Sequence, residues 1–146
     1  MVVLVVSAVL MNEDKIVMIQ EGKEEIYGKW SIPSGRLEMS EKIVDGAIRE
    51  VREETGFDIR VTDLTGIYNF TSEFRNQVVI VNFIGEIIGG DIQYDGTEII
   101  NAKWLTLDEI ENLKDSELRN PQFIRKIIED VRNEKRLPLE IIQDIL

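Results

Sequence analysis

Two runs rich in β-branched residues open the chain. They cover residues 2–10 and 15–20, and the polar residues 12–14 between them are typical of a turn. Apolar runs of this length that are bounded by turn residues favour buried strands. The pattern therefore predicts an N-terminal β-hairpin, followed by a polar surface loop over 21–29 and a short extended piece over 30–33.

A helix is predicted next, because apolar residues recur at a spacing of three and four. Ser40 is the expected N-cap, and Glu41 after it would be favourable at the positive end of the helix dipole. Gly56 suits the left-handed residue that ends a helix, with Phe57 packing just beyond it. The buried stripe of this helix comprises Ile43, Val44, Ala47, Ile48 and Val51.

The second half of the chain alternates further strand and helix patterns. We expect strands over 58–66, 77–88 and 99–105, and a short helix over 107–113. Asn120 and Pro121 resemble the cap and first residue of another helix, which carries an apolar face to about residue 133. A last short helix is expected over 139–146. No internal repeat or linker interrupts the chain, so we expect one domain over residues 1–146.

Composition narrows the chemistry that the chain can perform. It contains no cysteine and no histidine. Disulfides, thiolate or Ser-His-Asp catalysis and Cys/His zinc sites are therefore excluded. A general base must be a carboxylate or, less often, a lysine or tyrosine.

The charge and hydropathy of the chain indicate its partners and location. The formal net charge of −11 argues against nucleic-acid binding, which needs a basic face. The apolar N-terminal run is too short to span a membrane and lacks the basic start of a signal peptide. The sequence therefore predicts a soluble cytoplasmic protein that binds neither nucleic acid nor membrane.

Three carboxylates stand together near the end of the first predicted helix. Residues three and four apart share a helix face, so Glu50, Glu53 and Glu54 are expected to point the same way within one turn. An E-x-x-E-E turn alone is usually a solvated helix face. Carboxylates this close repel one another, however, and a hard divalent cation, which prefers oxygen ligands, would relieve that repulsion.

The spacing of the residues around these carboxylates resembles the Nudix box. That motif is written G-x5-E-x7-R-E-U-x-E-E-x-G-U, with U an apolar residue. Each defined position is matched here, by Gly35, Glu41, Arg49, Glu50, Val51, Glu53, Glu54, Gly56 and Phe57. Residues 30–33 before the box and 102–105 near the end also look like the family's flanking segments.

The resemblance implies an α+β fold, a Nudix-type α/β/α sandwich with a mixed β-sheet. It implies a metal-dependent pyrophosphohydrolase that cleaves a nucleoside diphosphate linked to another moiety by water attack at phosphorus. Mg²⁺ or Mn²⁺ would be held by Glu50, Glu53 and Glu54, with the Ser34 main-chain carbonyl as a further ligand. Arg49 would orient a box carboxylate, and the supporting residues would be Gly35, Glu41 and Gly56.

The identity of the general base is left open by the sequence. Glu53 is the candidate within the box, with Arg49 and Glu50 as the other catalytic candidates. In some relatives the base comes from a later loop, where Glu98, Asp108 and Glu109 are candidates here. Substrate contacts are expected from Lys29, Arg36 and Glu98. The aromatic residues that could stack on a base are Tyr27, Tyr68, Phe70 and Phe74.

A second function of a different class fits the same fold, namely a ligand-sensing domain without turnover. Such domains often lose box carboxylates or gain a DNA-binding module. This chain has lost none, and it shows no basic or helix-turn-helix segment, so the enzyme is favoured. The substrate stays open among nucleotide derivatives, and the expected oligomeric state is monomer or homodimer.

Overall fold

The computed structural model describes all 146 residues, which form seven strands and three helices. The strands are β1 (Val2–Asn12), β2 (Lys15–Glu21), β3 (Trp30–Ser31), β4 (Ser34–Arg36), β5 (Phe57–Thr71), β6 (Gln77–Gly90) and β7 (Ile99–Thr106). The helices are α1 (Ile43–Thr55), α2 (Leu107–Glu111) and α3 (Pro121–Arg132). Single 3₁₀ turns lie at Glu24–Ile26, Asp115–Glu117 and Leu139–Ile141.

The strands form one mixed sheet in the order β3-β2-β1-β6-β5, with β4 paired to β1 and β7 paired to β2. The long contact of β1 with β6 is parallel, and the other pairings are antiparallel. The predicted mixed sheet is confirmed. It is built from the β-branched runs at the N-terminus and over residues 77–88, both of which lie in its centre.

The predicted N-terminal hairpin forms, but its strands stay together for only a short distance. β1 and β2 pair at Met11 with Ile16 and at Asn12 with Lys15. Beyond those pairs β1 joins β4 and β6, whereas β2 joins β3 and β7. The two strands therefore diverge away from the turn, and a cavity opens between them.

Helices cover both faces of the sheet. On one face, Val51 of α1 belongs to the same apolar cluster as Val6 and Phe83 of the central strands. On the other face, Phe123 and Ile127 of α3 pack in a cluster with strand residues such as Ile80. Alternate residues of a strand point to opposite faces, so β1 and β6 supply both clusters. This arrangement is the predicted α/β/α sandwich.

The start of α1 differs from the prediction. Ser40 has a φ of 61°, and the cap residue is Lys42, which is extended and makes no side-chain cap hydrogen bond. An N-cap needs extended backbone, which excludes Ser40. Instead the Ile43 amide N–H donates to Asp144 Oδ1 at 3.1 Å, so a residue near the C-terminus caps this helix.

The C-terminal segment is also different from the prediction. Residues 139–146 were expected to form a short helix, but only Leu139–Ile141 makes a 3₁₀ turn. Ile141 and Ile145 are exposed, so the segment has no continuous apolar face to bury. A helix this short is marginal without such packing. None of the three helices has the length and the apolar composition that a membrane-spanning helix needs.

Candidate active site

A cavity of about 380 Å³ opens between the diverging strands and the last turns of α1. Its floor and walls include apolar side chains of β1 and β6, among them Val5 and Ile80. Six carboxylate residues line it, namely Glu21, Glu50, Glu53, Glu54, Glu73 and Glu98, against three basic residues, Lys23, Arg36 and Arg119. An anionic ligand in this cavity would need additional positive charge.

The box turn of α1 supplies three of those carboxylates. The helix ends at Gly56, whose φ of 84° is the left-handed conformation that glycine adopts readily. A side chain at this position would overlap the main-chain oxygen of Asp91. Gly56 therefore lets the chain turn sharply into β5 and leaves Glu53 and Glu54 at the cavity, within the last turn of the helix.

Arg49 forms ion pairs with three glutamates of the box, Glu41, Glu50 and Glu53. Its Nε and Nη2 donate to the two carboxylate oxygens of Glu41 at 2.7 and 2.9 Å, and its Nη1 donates to Glu50 Oε1 at 2.8 Å. Glu53 is more distant, at 3.4 Å from Nη1. The hydrogen bond from Arg49 lowers the pKa of Glu41, and Glu41 in turn raises the pKa of Arg49. Arg49 thus orients Glu50 more closely than Glu53.

Glu50 and Glu54 are partly buried carboxylates of the box. Burial is the main cause of the raised pKa of Glu50, which the hydrogen bond from Arg49 partly opposes. Burial also raises the pKa of Glu54 well above its usual range, against a hydrogen bond of 2.7 Å from the Ser34 amide N–H. The neighbouring charges of Glu50 and Glu21 raise the pKa of Glu54 further. Both groups would be stabilised as anions by a bound cation.

The ligand atoms that this turn offers are of the chemical type that a hard divalent ion prefers. Glu50, Glu53 and Glu54 all line the cavity and offer only oxygen atoms. In this structure no three carboxylates converge closely enough to hold one ion. Ser34 contacts Glu54 through its amide N–H, and Gly35 beside it leaves room for the carboxylate of Glu50.

Only some of the residues expected to contact substrate line this cavity. Arg36 and Glu98 line it, but Lys29 does not. The Lys29 ammonium instead pairs with Glu73 at 2.6 Å. Of the later-loop acids, only Glu98 reaches the cavity. Asp108 pairs with Arg132, and Glu109 caps the start of α2, both outside it.

Of the aromatic residues expected to stack on a base, only one lines the cavity. Phe74, in the loop between β5 and β6, lines the cavity and is 54% exposed. Tyr68 and Phe70 pack against Phe123 of α3 and support the wall from behind. Tyr27 is exposed elsewhere.

Sequence reasoning missed several of the residues that line the cavity, among them Glu21, Lys23, Glu73, Arg119 and Asn120. Glu73 Oε1 accepts a hydrogen bond from the Asn120 amide N–H at 2.9 Å, which ties the β5–β6 loop to the start of α3. Glu21 accepts from Arg119 Nη1 at 2.8 Å. The one available signal was a charged residue, Glu21, at the end of the buried apolar strand β2.

Comparison with known proteins agrees with this geometry. A family model described as the NUDIX domain matches residues 1–127. The chain belongs to the Nudix family. The resemblance of residues 35–57 to the Nudix box is thereby confirmed, and so is the fold that it implied.

Similar proteins extend the comparison beyond the family model. A solved structure of a NUDIX hydrolase from Nitrosomonas europaea matches with a TM-score of 0.90 at 33% identity, covering 99% of this chain and 97% of that one. The 8-oxo-dGDP phosphatase of Danio rerio is 34% identical over 134 residues, which are 82% of this chain and 40% of that protein. The ADP-ribose pyrophosphatase of Methanocaldococcus jannaschii is 28% identical over 109 residues, 74% of this chain and 64% of that protein. The chain thus spans less than two thirds of both curated relatives.

Proposed function

We propose that this Nudix chain is a metal-dependent hydrolase of the pyrophosphate bond in a nucleoside diphosphate derivative. The observation that carries the proposal is that one cavity is lined by all three carboxylates of the Nudix helix, Glu50, Glu53 and Glu54. Complete retention of the box favours turnover over a purely ligand-sensing role. Membership of the family supports the same reaction class.

Glu50, Glu53 and Glu54 are the residues that would hold Mg²⁺ or Mn²⁺, and the Ser34 carbonyl remains a further candidate ligand. A divalent ion bound there supplies charge neutralisation for the phosphate oxygens and a lower pKa for attacking water. Arg49 fixes the direction of Glu50 through the 2.8 Å hydrogen bond. The excess of carboxylates over basic residues in the cavity explains why an anionic substrate needs that ion.

We propose Glu53 as the residue that takes the proton of the attacking water. Its side chain is 58% exposed, and its nearest basic partner, Arg49, is 3.4 Å away. It is therefore less constrained than Glu50 and Glu54, which are partly buried and accept shorter hydrogen bonds of 2.8 and 2.7 Å. Glu98 lines the same cavity from the loop before β7 and is the alternative base.

The names of the relatives indicate which substrates to test first. One relative is named for 8-oxo-dGDP and another for ADP-ribose. Both compounds contain the diphosphate that the cavity would bind beside the carboxylates of α1. We propose this class of nucleotide derivative as the substrate and assign no single member of it.

The test is hydrolysis in ¹⁸O-labelled water with Mg²⁺ or Mn²⁺, with products identified by mass spectrometry. We expect cleavage of a phosphoanhydride, with ¹⁸O in a phosphate of one product, and loss of activity in excess chelator. Glu53→Gln should be strongly impaired. Glu129→Gln is the matched control, because Glu129 is an exposed glutamate of α3 that lies outside the cavity. Full activity in chelator, or ¹⁸O only in a sugar product, would contradict the proposal.

A further inference from the structure

Arg119 projects into the cavity from a fixed position of the main chain. Its amide N–H donates to the Trp30 carbonyl oxygen at 3.0 Å. The preceding residue, Leu118, is fully buried, and the next residue, Asn120, is tied to Glu73. The Arg119 side chain is 35% exposed and lines the cavity with Glu54. Its main chain is therefore anchored by contacts of all three residues.

The carboxylate of Glu21 binds the guanidinium of Arg119 and fixes its position. The Glu21 side chain is 3% exposed, and its Oε2 accepts from Arg119 Nη1 at 2.8 Å. A buried carboxylate needs a partner of this kind, because an unpaired buried charge is strongly destabilising. This single hydrogen bond occupies one nitrogen of the guanidinium, and Nε and Nη2 of Arg119 donate to no protein acceptor. The side chain of Arg119 is thus fixed by Glu21, and its Nε and Nη2 groups remain available to donate to a ligand.

The other two basic residues of the cavity are not held in this way. Lys23 and Arg36 are exposed, and their side chains make no ion pair or hydrogen bond within the protein. Fixing a long side chain on binding costs conformational entropy, which Arg119 has already lost in the folded protein. Of the three basic residues, Arg119 is the one preorganised for an anion.

We propose that Arg119 binds a phosphate oxygen of the substrate, with Glu21 as the positioning residue that orients its guanidinium. The ligand class is a diphosphate, since a planar guanidinium donates well to paired phosphate oxygens. This assignment rests on the proposed function for the nature of the substrate. It adds a binding contact that lies outside the Nudix box but in the same cavity as Glu54.

The competing explanation is that Arg119 only neutralises Glu21. Binding of non-hydrolysable nucleotides separates the two, because it does not depend on turnover. We would measure the Kd of α,β-methylene-ADP and α,β-methylene-GDP by calorimetry with Mg²⁺, for the wild type, Arg119→Gln and Glu21→Gln. Arg136→Gln is the matched control, since Arg136 makes one ion pair of 3.0 Å, with Asp63, outside the cavity.

We expect Arg119→Gln to weaken the better-bound analogue by about tenfold or more, as for loss of a charge-assisted contact. Arg119→Lys should restore part of this affinity, Glu21→Gln should give a smaller loss, and the control should match the wild type. In hydrolysis assays the KM of Arg119→Gln should rise more than its kcat falls. If Arg119→Gln unfolds, the double variant Glu21→Gln/Arg119→Gln removes the unpaired buried charge and the same measurement decides.

A folded Arg119→Gln or double variant that binds the analogues within twofold of the wild type would overturn the assignment. So would failure of the wild type to bind either analogue. Tight, Arg119-dependent binding without hydrolysis of any nucleotide would instead reject the proposed catalytic function and leave the Arg119 contact in place. The two proposals can therefore fail separately.

Discussion

The carboxylate of Glu50 lies against the α-carbon of Gly35, in the space that any side chain at position 35 would occupy. Gly35 belongs to β4, which pairs with β1, whereas Glu50 belongs to α1. The contact joins the first residue of the Nudix box to the first glutamate of its carboxylate turn. It explains in steric terms why this position is a glycine, because a larger residue would displace the carboxylate of Glu50.

Gly35→Ala should therefore displace Glu50 and break its hydrogen bond with Arg49. Misplacing a group at a reacting centre by about 1 Å costs about a hundredfold in rate, so we expect a loss of that size in turnover. Overpacking should lower the free energy of unfolding by about 1–3 kcal/mol. Steady-state kinetics and urea unfolding would measure both effects.

Gly89→Ala is the control for this substitution. A Cβ at Gly89 would meet only Asp58, at 3.7 Å, and Gly89 lies far along β6 from the cavity. Its turnover should match the wild type. Normal kinetics in folded Gly35→Ala would show that the position of Glu50 is not critical.

Periodicity and turn residues predicted most of the strands and helices, and motif spacing predicted the box, because these patterns depend on neighbours in the sequence. The mixed sheet was expected only from the family resemblance. Val51 and Phe57 lie in the core as their spacing indicated. The contact of Glu21 with Arg119 could not be predicted from the sequence, since it joins residues that are 98 positions apart. Asp144 capping α1 at Ile43 is likewise a long-range contact, over 101 positions.

Lys29 and Glu73 should stabilise the fold in a pH-dependent manner. Burial tends to raise the pKa of Glu73, but the hydrogen bond from Lys29 and that from the Asn120 amide outweigh it and lower the pKa. A lowered folded-state pKa contributes stability that is present above the unfolded pKa and is lost as the pH falls through the folded value. The contribution should therefore be full at pH 7 and absent in strong acid.

A double-mutant cycle of Lys29→Met and Glu73→Gln would measure this coupling by urea unfolding between pH 3 and 7. We expect about 0.5–1 kcal/mol at pH 7, near the upper end for an ion pair close to the surface, falling towards zero at pH 3. Arg52 and Asp58, which are 60% and 46% exposed, provide the control pair and should couple less. A coupling that does not change with pH would contradict the assignment.

Tyr68 should be a major stabilising residue because of a hydrogen-bonded chain behind the cavity. Its hydroxyl donates to Asp130 Oδ2 at 2.6 Å and lies 2.7 Å from the Thr65 hydroxyl. Thr65 accepts from Asn82, which accepts from Ser7, so the chain crosses the sheet from β1 to α3. No buried side-chain nitrogen or oxygen lacks a partner in this structure.

Tyr68→Phe removes the hydroxyl and leaves the buried carboxylate of Asp130 with one fewer donor. We expect the free energy of unfolding to fall by about 1–3 kcal/mol, measured by urea denaturation. Tyr27→Phe removes a hydroxyl from a residue that is 66% exposed and should have little effect. Equal stability of the two variants would mean that the hydrogen bonds of the Tyr68 hydroxyl contribute no more to the free energy of unfolding than hydrogen bonds to water do.

Glu54→Gln should separate the stability of the site from its activity. Burial raises the pKa of Glu54 well above its usual range, so its ionised form destabilises the metal-free protein at neutral pH. Glutamine is neutral and keeps an oxygen that can accept from the Ser34 amide N–H. In excess chelator we expect the variant to gain on the order of 1 kcal/mol, about 2–4 °C in Tm. Turnover with Mg²⁺ should fall by about a hundredfold or more.

Glu53→Gln is the informative partner of that variant. Its side chain is 58% exposed, so the same loss of charge should change the metal-free Tm much less, whereas turnover should fall as strongly. Thermal unfolding with and without Mg²⁺ would show whether the stabilisation by the ion shrinks in both variants, as it should if both carboxylates bind it. Wild-type turnover in both variants under saturating Mg²⁺ would remove these residues from the site, since two ligands of a required ion cannot both be dispensable.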